Sequence, residues 1–330
     1  MDLRNRRALK QDAAAALGQA PNEKKIIAVY IGASLLVSTI VVLANLLLDN
    51  RIDGTSGLDS MGSRTILQTI QMVLMLGQFL ALMVWEYGYL GTVLKITRRQ
   101  NADHRTLLDG FPVFWPVLRL TIIQYGLLFL LTFASVYLGT MVFTVTPFVN
   151  PLVDAMLPLL ERAAAPAEIM ADPAVVEAAN NMLLPLLGVV LAVYALLALP
   201  IQYLFRLAGY CLLDNPRAGA LRAMGESRRL MRRNRLNLLK LDLSFWWYFL
   251  LDLIAMGVCY ADQWLPLLGI TLPFSEDAGY LLTYGLYLPI HFAINYYFRN
   301  RLEVTYAKAY EALKPKPQEG GIVLGNIFQM

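Results

Sequence analysis

The chain has 330 residues, 57% of them hydrophobic and only 16% charged, with a mean hydropathy of +0.51 and a formal charge of +4. Soluble domains run near about 45–50% apolar and about 25% charged, so an ordinary soluble fold, a disordered chain and a collagen-like fibre are excluded. Two cysteines, Cys211 and Cys259, are too few for a disulfide framework, and two histidines, His104 and His291, are too few for a histidine-rich metal site.

A bilayer core of about 30 Å takes about 20 mostly apolar residues as a helix. Six stretches meet that length, at about 26–48, 66–94, 117–145, 182–213, 241–260 and 278–298. The apolar runs are continuous rather than alternating, which selects helices over barrel strands. The expected fold is therefore all-α: a polytopic bundle of six transmembrane helices (26–298), an amphipathic cytoplasmic N-tail (1–25) and a cytoplasmic C-tail (299–330).

The distribution of Lys and Arg sets the orientation. With both termini inside, 23 of the 28 basic residues lie on the cytoplasmic side, 3 outside and 2, Arg119 and Arg206, within spans. The outer connections carry 11 acids, among them Asp154, Glu161, Glu168, Asp172 and Glu177. The first span exceeds a signal-peptide core and is followed by no convincing small-residue cleavage site, so a signal-anchor is expected.

The cytoplasmic segments read as amphipathic helices, each leading into a pair of spans. In LRNRRALKQDAAAALG, Gly18 is placed as the C-cap. DHRTLLDGFPVFWPVLR precedes the third span. In NPRAGALRAMGESRRLMRRNRLNLLK, Asn215 is placed to cap and Pro216 to open the helix, with Leu221, Met224 and Met231 on one face. Arg222, Arg228, Arg229, Arg232, Arg233 and Arg235 supply its charge. Such a helix is expected to lie in the headgroup layer, apolar side down, each cation near anionic lipid being worth about 1 kcal/mol. The nearest phosphates are those of the membrane, so lipid is the expected partner and nucleic acid is not. A homo-oligomer or contact with other membrane proteins stays open. Five prolines divide the outer stretch 146–181 into short helical pieces, read as a structured connector.

Several segments together resemble the bacterial domain-of-unknown-function-975 family of integral membrane proteins. They are the N-terminal RRALKQDAAAAL, the stretch ESRRLMRRNRLNLLKLDLSFWWYFLLDLI and the closing YYFRNRLEVTYAKAYEAL. Within the second, Ser227 and Leu241–Asp242–Leu243–Ser244–Phe245–Trp246–Trp247 follow the family's pattern. The long outer connection and the tail after Lys314 do not match it. The resemblance implies a six-span protein in the bacterial plasma membrane and brings no catalytic residues with it.

Charge inside a bilayer is costly and is often functional. Glu86 lies nine residues before Lys95, Arg206 eight before Asp214 and His291 eight before Arg299, so the three share a depth of roughly 12–13 Å from the inner interface. Arg119 opens the third span, and Asp252 falls in the middle of the fifth with no basic partner at its depth. One reading is an inward-opening polar cavity lined by Glu86, Arg206 and His291. The other is a structural pair, Glu86–Arg206 or Glu86–Arg119, that pins helices together, and it is favoured because polar side chains commonly hold membrane bundles. Asp252 is expected to be protonated or hydrogen-bonded to Tyr284 or Tyr287. Gly88 with Gly91, and Gly126, are expected at close helix contacts.

No phosphate-binding loop, zinc-protease, nucleophile-elbow or Cys-x-x-Cys motif is present in the sequence. No cofactor, metal or catalytic residue is expected. The favoured function is non-enzymatic, organising or sensing the membrane through basic interfacial helices. The alternatives are a carrier of a small or lipid-like solute and, last, an intramembrane lipid enzyme.

Overall fold

The structure is a computed structural model that describes residues 5–53, 61–162, 164–265 and 276–315. The described residues form helices and no strands. The helices are α1 (Arg6–Gly18), α2 (Glu23–Asp53), α3 (Met61–Thr97), α4 (Phe114–Thr144), α5 (Asn150–Glu161), α6 (Pro166–Ala171) and α7 (Pro173–Phe205). They continue with α8 (Ala208–Asp214), α9 (Ala220–Met231), α10 (Arg235–Leu243), α11 (Trp246–Cys259), α12 (Ala261–Trp264) and α13 (Glu276–Leu313). The chain divides into two compact units, residues 1–114 with 236–330, and residues 115–235.

In the first unit, α2, α3 and α13 pack on one another, α11 packs on α13, and α1 lies against α13 and α3. The expected N-tail is thus an integral helix. Asn5 caps it by accepting from the Ala8 N–H at 3.1 Å, and Leu9, Ala13, Ala16 and Leu17 form its buried stripe. It ends one residue later than expected, at Gly18, with Gln19 as the cap residue.

The segment before the third span is a 3-10 helix over His104–Val113 rather than an α-helix. Pro112 has no N–H to give to an α-helical ladder. The segment also lies directly against α3: a Cβ on Gly88 would stand 1.8 Å from the Leu107 carbonyl oxygen, and one on Gly110 would stand 2.2 Å from that of Val84. Of the glycines expected at close contacts, Gly88 is at one, whereas Gly91 and Gly126 have open space where a Cβ would go.

The fifth expected span, 241–260, is broken. Helices α10 and α11 meet at 64° around Ser244 and Phe245. The turn is closed by three-residue bonds, Ser244 N–H to Leu241 O at 3.0 Å and Phe245 N–H to Asp242 O at 2.8 Å, with Ser244 Oγ also donating to Leu241 O at 2.5 Å. A serine hydroxyl that competes for a backbone carbonyl is a known way to end a helical turn. The sixth expected span lies inside α13, which is long but is not among the helices apolar enough to qualify as a span. Four helical stretches among the described residues do qualify, Glu23–Ile52, Gly62–Thr97, His104–Thr144 and Pro173–Asp214, and the bent α10–α11 pair makes a fifth if it is one span.

The second unit holds most of α4 together with α5–α9. Helices α4 and α7 approach closely at Gly139, where a Cβ would stand 2.8 Å from Val190 Cγ2. The outer connection is more helical than its prolines suggest. Pro166 and Pro173 sit at the first positions of α6 and α7, where the missing N–H costs nothing. Asp172 caps α7 by accepting from Ala174 N–H at 2.9 Å, so α7 begins nine residues before the expected span. Leu159, Ile169 and Val175 close a small apolar core between α5, α6 and α7. The basic segment opens differently from expectation. Asn215 makes no side-chain cap, Pro216–Ala218 is a 3-10 turn, and α9 starts after Gly219, whose φ of +80° favours glycine.

Candidate functional site

The charged groups of the first unit gather along α13. Tyr287, His291, Asn295, Arg299 and Glu303 follow one another at intervals of four residues, which keeps them on one slowly turning stripe. Two polar clusters form on it.

The first cluster joins α2, α3 and α13. Arg299 Nη2 donates to both oxygens of Glu86, at 2.9 and 2.7 Å, and Tyr30 donates its hydroxyl to Glu86 Oε2. The Arg299 guanidinium also lies over the rings of Tyr30 and Tyr89, at 4.9 and 5.6 Å, and those rings stack 4.3 Å apart. Tyr89 donates to Asn300 Oδ1 at 2.8 Å, Asn300 donates to the Glu23 carbonyl at 3.1 Å, and Trp85 donates to the Tyr30 carbonyl at 3.0 Å. The basic partner of Glu86 is therefore Arg299, in place of the expected Arg206 or Arg119, both of which belong to the other unit. Arg299 escaped the sequence reading because it sits one residue past the apolar stretch, where a cation is ordinarily taken for an interface anchor.

The second cluster joins α11 and α13. His291 Nδ1 stands 3.4 Å from Asp252 Oδ1, so Asp252 does have a basic neighbour, contrary to expectation. That oxygen is buried and makes no hydrogen bond among the described residues. Tyr248 donates to Asn295 Oδ1 at 2.9 Å, and Asn295 Nδ2 donates to the His291 carbonyl at 3.0 Å. The Tyr287 ring lies 4.9 Å from the imidazole of His291. Tyr284 is spent elsewhere, sharing a hydrogen bond with Thr39 of α2 at 3.3 Å.

In both clusters a polar group of one helix meets one of another. Gln78 donating to Ser38 at 3.2 Å and Gln71 donating to Asp49 at 2.7 Å continue the pattern between α3 and α2. Interhelical bonds of this kind are worth about 0.6 kcal/mol each on average in a membrane. The arrangement positions helices.

In the second unit, Arg119 and Arg206 are both exposed, Arg206 lying between the end of α7 and the start of α8. Gln124 of α4 donates to the Phe205 carbonyl at 3.4 Å. The basic helix α9 buries Ala220, Ala223, Met224, Ser227 and Met231, and Ser227 donates to the Leu204 carbonyl at 2.9 Å. Its apolar side is thus turned to α7 and α8 instead of down into lipid, and Leu221, expected on that side, is 75% exposed. Arg222, Arg228 and Arg229 project from the opposite side, Arg232 and Arg233 from the turn that follows, and Arg235 is half-buried. Glu226 stands 3.9 Å from Arg222, and an exposed pair of that length adds little.

Among the described residues no three His, Cys, Asp or Glu side chains are grouped to hold a metal. Residues 26–271 match a family described as "Protein of unknown function (DUF975)". No curated protein and no solved structure matches the chain.

Proposed function

The chain belongs to the DUF975 family, and we propose that it is a non-enzymatic protein of the bacterial plasma membrane that engages anionic lipid through basic cytoplasmic helices. The observation that carries this reading is α9 and the turn after it: exposed Arg222, Arg228 and Arg229 on a helix fixed to its unit by its apolar side, and exposed Arg232 and Arg233 directly behind it. A rigidly mounted cationic face draws anionic headgroups without having to insert.

In this reading the chain crosses the membrane six times, with the bent α10–α11 pair as the fifth crossing and α13 as the sixth. Helix α13 is supported as a span by the sidedness of its composition. Leu281, Leu282, Leu286 and Ile290 are exposed, while the polar stripe faces α2, α3 and α11. Its average apolarity is lowered by residues that lipid would not meet. The 23-to-3 division of basic residues supports N-in and C-in. The enclosed pairing of Glu86 with Arg299 favours an organiser over a carrier, since a carrier's charged group must be free to change partners.

The test is binding of the purified full chain, in nanodiscs, to vesicles containing phosphatidylglycerol or only phosphatidylcholine. Replacing Arg228, Arg229, Arg232 and Arg233 with glutamine is expected to weaken the anionic-vesicle interaction at least tenfold, at about 1 kcal/mol or less per cation. Equal binding by the variant, or equal binding to both vesicle types, would remove the basis of the proposal.

A further inference from the structure

A recess of about 490 Å³ in the first unit is lined by Asn5, Arg6, Arg7, Lys10 and Ser244. It lies where the N-terminal turn of α1 meets the break between α10 and α11. Among the described residues that line it, Arg6, Arg7 and Lys10 are cations and none is an acid, and the first turn of α1 contains no acid either.

Two of the cations are held in place. Arg6 Nη1 donates to the Lys240 carbonyl at 3.2 Å, and Lys10 Nζ donates to the Ser244 carbonyl at 2.8 Å while standing 3.9 Å over the Phe245 ring. Each satisfies a carbonyl at the end of α10, where the helix dipole is negative. Each also keeps N–H groups unused by these bonds, two on Lys10 and four on Arg6. The Asn5 oxygen is committed to Ala8 N–H, which leaves its amide NH₂ as the donor group. Burial first, and the neighbouring Arg6 second, hold the Lys10 ammonium below its ordinary pKa. The positive end of the 13-residue α1 opens on the same recess.

We propose that this recess binds the phosphate group of one anionic phospholipid. The choice of a lipid over a free phosphate follows from the neighbouring residues. Trp246 and Trp247, directly after the break, are 47% and 60% exposed with their rings stacked 3.7 Å apart. Phe249, Leu253 and Ile254 continue the exposed apolar surface along α11. Exposed tryptophans beside a cationic recess, followed by an apolar helix surface, match a headgroup, its glycerol region and an acyl chain in order. The site deepens the membrane-lipid reading and rests on it, but involves neither α9 nor any of its arginines.

The experiment is native mass spectrometry of the full chain, released from micelles after titration with phosphatidylglycerol, phosphatidylcholine or inorganic phosphate. One phosphatidylglycerol per chain is expected to bind saturably, with phosphatidylcholine and inorganic phosphate far weaker. Arg7→Gln removes an exposed lining cation and is expected to lower the affinity about fivefold. The triple variant Arg6→Gln/Arg7→Gln/Lys10→Gln is expected to lose the single tight lipid, and an unchanged thermal midpoint for Arg7→Gln keeps that variant interpretable on its own. Arg228→Gln/Arg229→Gln is expected to retain the tight lipid while losing vesicle affinity. Equal lipid retention by Arg7→Gln and the parent, or phosphate bound as tightly as the lipid, would overturn the site. Loss of anionic-vesicle preference by the parent chain would instead overturn the broader function.

Discussion

Arg299→Gln takes away both N–H bonds to Glu86 and the cation over the Tyr30 and Tyr89 rings. Breaking a fully buried ion pair from one side costs about 3–5 kcal/mol, because the remaining charge loses its partner. Here the two side chains keep 22% and 33% exposure, so screening reduces the expected loss to about 2–3 kcal/mol. Glu86→Gln leaves an amide oxygen for the Tyr30 hydroxyl and is expected to cost about 1–2 kcal/mol. The double variant removes both charges together, so its loss should fall short of the sum by about 1–2 kcal/mol. Reversible unfolding of the four proteins in mixed micelles, followed by tryptophan fluorescence, measures this coupling. Additivity within about 0.5 kcal/mol would refute the pairing and return Glu86 to the list of free intramembrane acids.

Gly88→Ala forces a methyl against the Leu107 carbonyl and Gly110→Ala forces one against that of Val84, so each is expected to cost 1–3 kcal/mol or more, whereas Gly91→Ala has room and should leave the thermal midpoint within error. Asn295→Leu leaves the Tyr248 hydroxyl buried without an acceptor and should cost about 1–3 kcal/mol; adding Tyr248→Phe should recover part of that loss in the same unfolding assay. Asp103 caps the 3-10 helix by accepting from the side chain and then the backbone N–H of His104, each at 2.7 Å, and these bonds hold its pKa below the ordinary carboxylate value. Its contribution is therefore fully present above that ordinary value and is lost as pH falls through the lowered one. Hydrogen-exchange protection factors over residues 104–113, corrected for the intrinsic pH dependence of amide exchange, should fall in that acid window in the parent and stay level across it in Asp103→Ala.

The long helices were legible because their apolar runs are long and uninterrupted, and Glu86, Asp252 and His291 stood out because a charge in such a run is expensive. Partners were harder to read. Glu86 and Arg299 are 213 positions apart, and only the four-residue spacing of Tyr287, His291, Asn295 and Arg299 along α13 hinted at one polar face. The break at Ser244 was hidden because LDLSFWW contains neither proline nor glycine, and the bend depends on where the Ser244 hydroxyl bonds. The 3-10 character of 104–113 follows partly from a tertiary contact, the approach of Gly88 to Gly110, which no local pattern reports. For α9, composition alone could not say that Met224 and Met231 would pack on the helices beside it while Leu221 stays exposed.

The most direct test of the account is the sidedness of residue 228. A chain bearing Arg228→Cys, with the buried Cys211 and Cys259 replaced by serine, is treated with a membrane-impermeant maleimide on intact cells and on inverted vesicles. The account predicts labelling in inverted vesicles alone; labelling of intact cells would place the arginine cluster outside and contradict the orientation on which the lipid-binding roles depend.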